Sequence, residues 1–87
     1  MDIRIRICVS QEDIEAGRPG NASLCPIACA IRRVRPRSKP VVTPMSCFID
    51  GLTFRLPSSA VIFIESFDAD RGSVQPFSFE LSDPEVG

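Results

Sequence analysis

The chain contains no histidine, no tyrosine and no tryptophan. Without histidine there is no Ser-His-Asp or Cys-His machinery, no histidine-bearing metal site and no general base that titrates near neutral pH. Six phenylalanines remain as the only aromatics, a thin supply for a base-stacking platform. Long apolar runs are missing too. The longest, residues 27–31 and 60–64, are five residues each, against the ~20 that a membrane span requires. The first ten residues alternate apolar and charged side chains where a signal peptide needs a continuous apolar block, so a cytoplasmic setting and no membrane partner are expected. Glu65, Asp68 and Asp70 form a loose acidic group that no motif frames, and three acids at a helix end are usually solvated charge. The chain is therefore not expected to be an enzyme or to hold a cofactor.

What is present fits one soluble domain. The 87 residues are 44% hydrophobic and 24% charged, ordinary for a globular fold, but the core is small and stability correspondingly modest. Four cysteines, Cys8, Cys25, Cys29 and Cys47, read as reduced thiols in a chain that carries no secretion signal. Net charge is −1, yet it is unevenly spread: residues 1–40 carry +4 and residues 41–87 carry −5. Such asymmetry suits an anionic partner for the first half, head-to-tail self-association, or two oppositely charged solvated faces.

Periodicity and capping signals place the elements. Residues 2–9 alternate strictly, Ile3, Ile5, Ile7 and Val9 against Asp2, Arg4, Arg6 and Cys8, the pattern of a half-buried strand. Ser10 followed by Asp13 predicts a capped helix of about two turns that stops at Gly17, and residues 18–21 are a turn. Pro26 is tolerated only in a first helical turn, so a second helix begins at or just before Cys25. Its buried stripe is Ile27, Ala28, Ile31 and Val34, with Arg32, Arg33 and Arg35 facing outward. Residues 35–40 are a loop. The Asp50-Gly51 pair predicts a hairpin over 45–56, with Phe48 and Phe54 or their neighbours meeting across it. Residues 57–72 are a third helix, capped by Ser58 or Ser59, buried along Ala60, Phe63, Ile64 and Phe67 and ended by Gly72. Residues 74–81 form a last strand with Phe77, Phe79 and Leu81 inward; Pro76 puts its start at an edge or outside the ladder.

The expected fold is α+β, a single domain over 1–82 in the order β-α-α-β-β-α-β, with a flexible tail at 83–87. A four-stranded sheet with helices packed on one face would cover every apolar stripe. The opposite face, bearing Arg4, Arg6, Cys8, Ser78 and Glu80, is either wet or an oligomer interface.

Two features carry chemistry. Arg32, Arg33, Arg35, Arg37 and Lys39 place five cations within eight residues, half the positive charge of the chain. Running off a helix end into a proline-stiffened loop, they suit phosphates or an acidic protein patch, or else they simply solubilise the loop. Cys25 sits where a helix dipole lowers a thiol pKa, or where the same amides hold a phosphate. Cys25 and Cys29 are spaced i, i+4, but a structural zinc site calls for two cysteine knuckles, and buried cysteine usually acts as a small hydrophobe. No metal site is expected.

The motifs at Val9–Gly20 (V-x-Q-E-D-I-x-x-G-x-x-G), Cys25–Ile31 (C-P-I-A-x-A-I), Phe63–Asp68 (F-I-x-x-F-D) and Pro76–Leu81 (P-F-S-F-E-L) together resemble a family of small proteins encoded by tailed phages. No activity or site residue transfers from it, and Cys29 falls where the pattern is free. By analogy, the resemblance implies a non-enzymatic protein that acts in the host cytoplasm by binding. The leading expectation is a protein that binds a host factor or defence complex. The alternative is a homo-oligomer that sequesters an anionic ligand such as a nucleotide, using Arg32, Arg33, Arg35 and the start of the second helix. A nucleic-acid-binding regulator comes third.

Overall fold

The computed structural model describes residues 4–85. Strand β1 (Arg4–Val9) alternates exposed and buried along its length; Asp2 and Ile3 of the expected strand lie outside the described residues. Helix α1 (Gln11–Ala16) starts with a complete capping box. The Asp13 amide donates to the Ser10 hydroxyl, and the Asp13 carboxylate accepts from the Ser10 amide. Where α1 stops, glycine is required at Gly17 for a steric reason, since its φ of −71° suits any residue. A Cβ at Gly17 would stand 2.6 Å from Cγ and Cδ of Pro26, so the chain leaves α1 pressed against the ring that opens the next helix.

That helix, α2 (Pro26–Val34), buries Ile27, Ala28, Ala30 and Ile31. Val34 departs from expectation and is 53% exposed, because the helix ends there and the last turn has run past the core. Strand β2 (Val41–Val42), a two-residue element without a sequence signal, pairs antiparallel with β3 (Ser46–Ile49). The hairpin to β4 (Leu52–Arg55) turns on Asp50 and Gly51, both at positive φ (51° and 79°), the backbone of a type I′ turn. The phenylalanines do not meet across this ladder. Phe54 pairs with Cys47 on the buried face, and Phe48 pairs with Thr53 on the outer one.

Helix α3 (Ser58–Ala69) buries Ala60, Phe63 and Phe67. Its N-cap is Pro57 with no side-chain cap bond, so neither Ser58 nor Ser59 plays that role. It ends before Gly72, at Asp70, whose carboxylate then caps a short 3-10 turn (Arg71–Ser73). Strand β5 (Phe77–Ser82) returns antiparallel to β1, Ile7 opposite Phe79. Phe77 stacks between Phe63 and Phe79, at centroid distances of 4.5 and 5.4 Å.

The fold is α+β, but the expected four-stranded sheet is replaced by two sheets, β1-β5 and β2-β3-β4. Strand β5 ends before it can extend along β4. Asp83 turns the chain into the left-handed region (φ 50°), and Pro84 has no N–H to donate. Among the described residues one bridge then joins the sheets, the Glu85 amide on the Thr53 carbonyl at 2.7 Å. The expected tail thus has an anchor at Glu85, while residues 86–87 lie outside the described residues. Both sheets and all three helices feed one core cluster, and the radius of gyration of 11.9 Å is that of a compact chain of this length, ~12 Å.

Two substitutions, Gly17→Ala and Asp13→Ala, test the α1–α2 junction, with Gly72→Ala as a control. Gly17→Ala is expected to lower stability by about 1–3 kcal/mol, since a rigid proline ring cannot yield. Gly72→Ala, whose Cβ would meet nothing closer than 3.6 Å, should be nearly neutral. Asp13→Ala should cost about 1–2 kcal/mol through the lost cap and the part-buried Ser10 and Arg33 groups left unpaired. Chemical denaturation of each variant is the measurement.

Candidate functional site: a basic loop and a buried thiol at opposite ends of one helix

The five cations of residues 32–39 do not form one patch. Arg32 reaches back along α2, as helical side chains do, to donate to the Ser23 carbonyl and to Cys29 Sγ at 3.5 Å. Arg33 donates to the Asp13 carboxylate and, at 2.8 Å, to the Cys8 carbonyl. The Asp13 hydrogen bond and charge hold its guanidinium protonated more firmly than usual. Both arginines bind the protein's own framework.

The next three residues are different. Arg35 lies 3.4 Å from the Asp50 carboxylate, each about half exposed, a contact of small energetic value. Arg37 and Lys39 are exposed and make no hydrogen bond or ion pair among the described residues. The loop holding them is well fixed. Both the amide and hydroxyl of the buried Ser38 donate to the Arg35 carbonyl, at 3.1 and 2.8 Å. Pro40 is fully buried, and Lys39 adopts φ 48° between them. Arg35, Pro36, Arg37, Ser38 and Asp50 rim an open hollow of about 270 Å³. No aromatic lines it, and the Asp50 carboxylate sits at its wall.

Cys25 is at the other end of α2, roughly 13 Å away by the helical rise over nine residues. It is the N-cap, and its sulfur accepts the Ala28 amide at 3.4 Å. The expected fall in its pKa does not occur. Burial pushes the thiol up, and the Ala28 and Ile27 amides, which pull it down, are outweighed. Cys25 lines a separate cleft of about 210 Å³ whose apolar walls include Ala22, Val42, Pro44 and Ile64, with Asp68 at its side. A carboxylate beside the helix start, and no cation, make this cleft unfavourable for a phosphate. Cys25 and the basic loop at 35–39 are therefore two places, although Arg32 reaches toward the start of α2 through the Ser23 carbonyl.

Among the described residues no three Cys, Asp or Glu side chains gather as a metal site, and no helix is long and apolar enough to cross a membrane. All four cysteines are free thiols. Burial, with Cys25 nearby, pushes Cys47 up to about 12. Sequence reading missed the Asp13–Arg33 pair and the outward Phe48. A signal for the second was available: with Cys47 and Ile49 facing the core, period-two alternation turns Phe48 away. Comparison with family models, with curated proteins and with solved structures gives no match.

The thiols set a pH test. Cys47 keeps its proton in the folded state to about 12, against an ordinary value of 9.0. Its contribution to stability is thus full below pH ~9 and is lost as pH climbs toward 12. Cys25, which burial raises in the same way, adds to the effect, so stability measured from pH 7 to 11 should be level and then fall. Cys47→Ala should lessen that fall and leave the part that belongs to Cys25. An aromatic disulfide reagent should modify exposed Cys8 rapidly in the native protein, and Cys25 and Cys47 only on unfolding.

Proposed function

We propose that the chain is a small non-enzymatic interaction protein of phage type. It works in the host cytoplasm by docking its basic loop on an acidic surface of a host factor or defence complex. The observation that carries this reading is the pinned loop at 35–39, which presents Arg37 and Lys39 without partners among the described residues, beside an open, shallow hollow. Fixing the loop in advance lowers the ordering cost of association. Openness favours a macromolecular surface over a small ligand, which binds best in a concave, largely enclosed site. Nucleotide sequestration gains less support. It calls on Arg32, Arg33 and the start of α2, groups held by Ser23, Asp13 and Cys8 or lying at the far end of the helix. The phage character of the reading rests on the four sequence motifs.

The test is charge reversal. Arg37→Glu combined with Lys39→Glu should abolish retention of the host partner in pull-downs and weaken it at least ~10-fold in a titration. Arg4→Glu, an exposed cation on the far strand β1, should retain the same partner. Thermal stabilisation by a mononucleotide that survives the double reversal would overturn the reading.

A further inference from the structure

The outer face of the β2-β3-β4 sheet is uncovered and apolar at its centre. The register places Val41, Phe48, Thr53 and Glu85 in one cross-strand row, with Ser46 and Arg55 in the next. Phe48 is 42% exposed, Val41 37% and neighbouring Met45 64%. The protein's own core cannot claim Phe48, because Cys47 and Ile49 already hold the inward positions of β3. Covering such a ring withdraws a large apolar area from water.

We infer that this face docks a second copy of the same chain, the two sheets packing face to face with Phe48 near the two-fold axis. Charge selects the occupant. Arg55 and Glu85 flank the apolar centre 3.7 Å apart, with side chains 78% and 50% exposed. So exposed a pair contributes little within one chain, and each group is open to a second partner. A face that carries both signs beside an apolar centre is self-complementary, as a two-fold interface requires. A uniformly acidic or basic foreign surface would set like charge against Glu85 or Arg55.

Size sets the strength. Three strands of at most four residues make a patch well below the ~800 Å² per partner of a standard stable interface. The dimer is therefore weak and concentration-dependent, with dissociation in the range of roughly 10 µM to 1 mM. The inference stands independently of the basic loop and its partner.

Sedimentation of the full chain from micromolar to millimolar concentration tests it, with amide chemical-shift mapping over the same series. The apparent mass should climb from that of one chain toward that of two, and the shifts should concentrate in residues 41–55 and 85. Phe48→Asp, at a solvent-facing position, should keep native circular dichroism and weaken association by about 10-fold or more. Arg55→Glu should also weaken it, and adding Glu85→Arg should restore it. A chain that stays monomeric at millimolar concentration overturns the inference. So does association that Phe48→Asp leaves intact, or shifts that map instead to α3 or β1.

Discussion

The carboxylate of Asp13 holds the first half of the molecule in register. It is buried, and it accepts the Ser10 amide, the Ser10 hydroxyl and the Arg33 guanidinium. Arg33 in turn grips the Cys8 carbonyl at the end of β1. One acid thereby ties the exit of a strand, the first turn of α1 and the last turn of α2. A lone surface ion pair contributes ~0–1 kcal/mol. This carboxylate is different in kind, because losing it also leaves a backbone amide and a hydroxyl without their acceptor. The Gly17–Pro26 contact locks the other end of the same junction. With both ends held, the direction of α2 is set, and so is the point at which the basic loop leaves it.

That junction also explains why a cluster of five cations delivers fewer. Arg33 is consumed by Asp13 and Arg32 by the loop carbonyl of Ser23. Arg32 points back toward the start of α2 and Arg33 toward α1 and the end of β1. The charge asymmetry of the sequence is real, but part of the positive half is spent on architecture.

Local signals were legible and distant ones were not. The alternation of β1, the Ser10–Asp13 box, the Asp50-Gly51 turn and the Phe63–Phe67 stripe each lie within a few residues and recur in the structure as read. Division into two sheets depends on how β5 meets β4, and on Asp83 and Pro84 breaking the strand just before it could pair. Strand β2 owes its existence to β3 and to a hydrogen bond from the Val42 amide to the Ala22 carbonyl, neither of which leaves a trace in two valines. The partners of Arg32 and Arg33 lie 9 and 20 residues away. At that separation only the folded chain tells a binding cation from a structural one. The same holds for Cys25: its place at the helix start was legible, whereas the burial that overrides the dipole was not.

The count of unspent cations bears on what the loop can bind. A nucleic-acid-binding protein typically neutralises six to ten phosphates, each by a cation that faces outward. The loop here offers Arg37 and Lys39, with Arg35 shared with Asp50. Two or three charges give a shallow salt dependence and little affinity for nucleic acid by themselves. Self-association through the Phe48 face would change the arithmetic without changing the loop. A pair of chains presents two pinned basic loops at once, and a partner engaging both gains the effective concentration of a tethered second site. The exposed apolar sheet and the modest cationic loop, each weak alone, then become parts of one bivalent device.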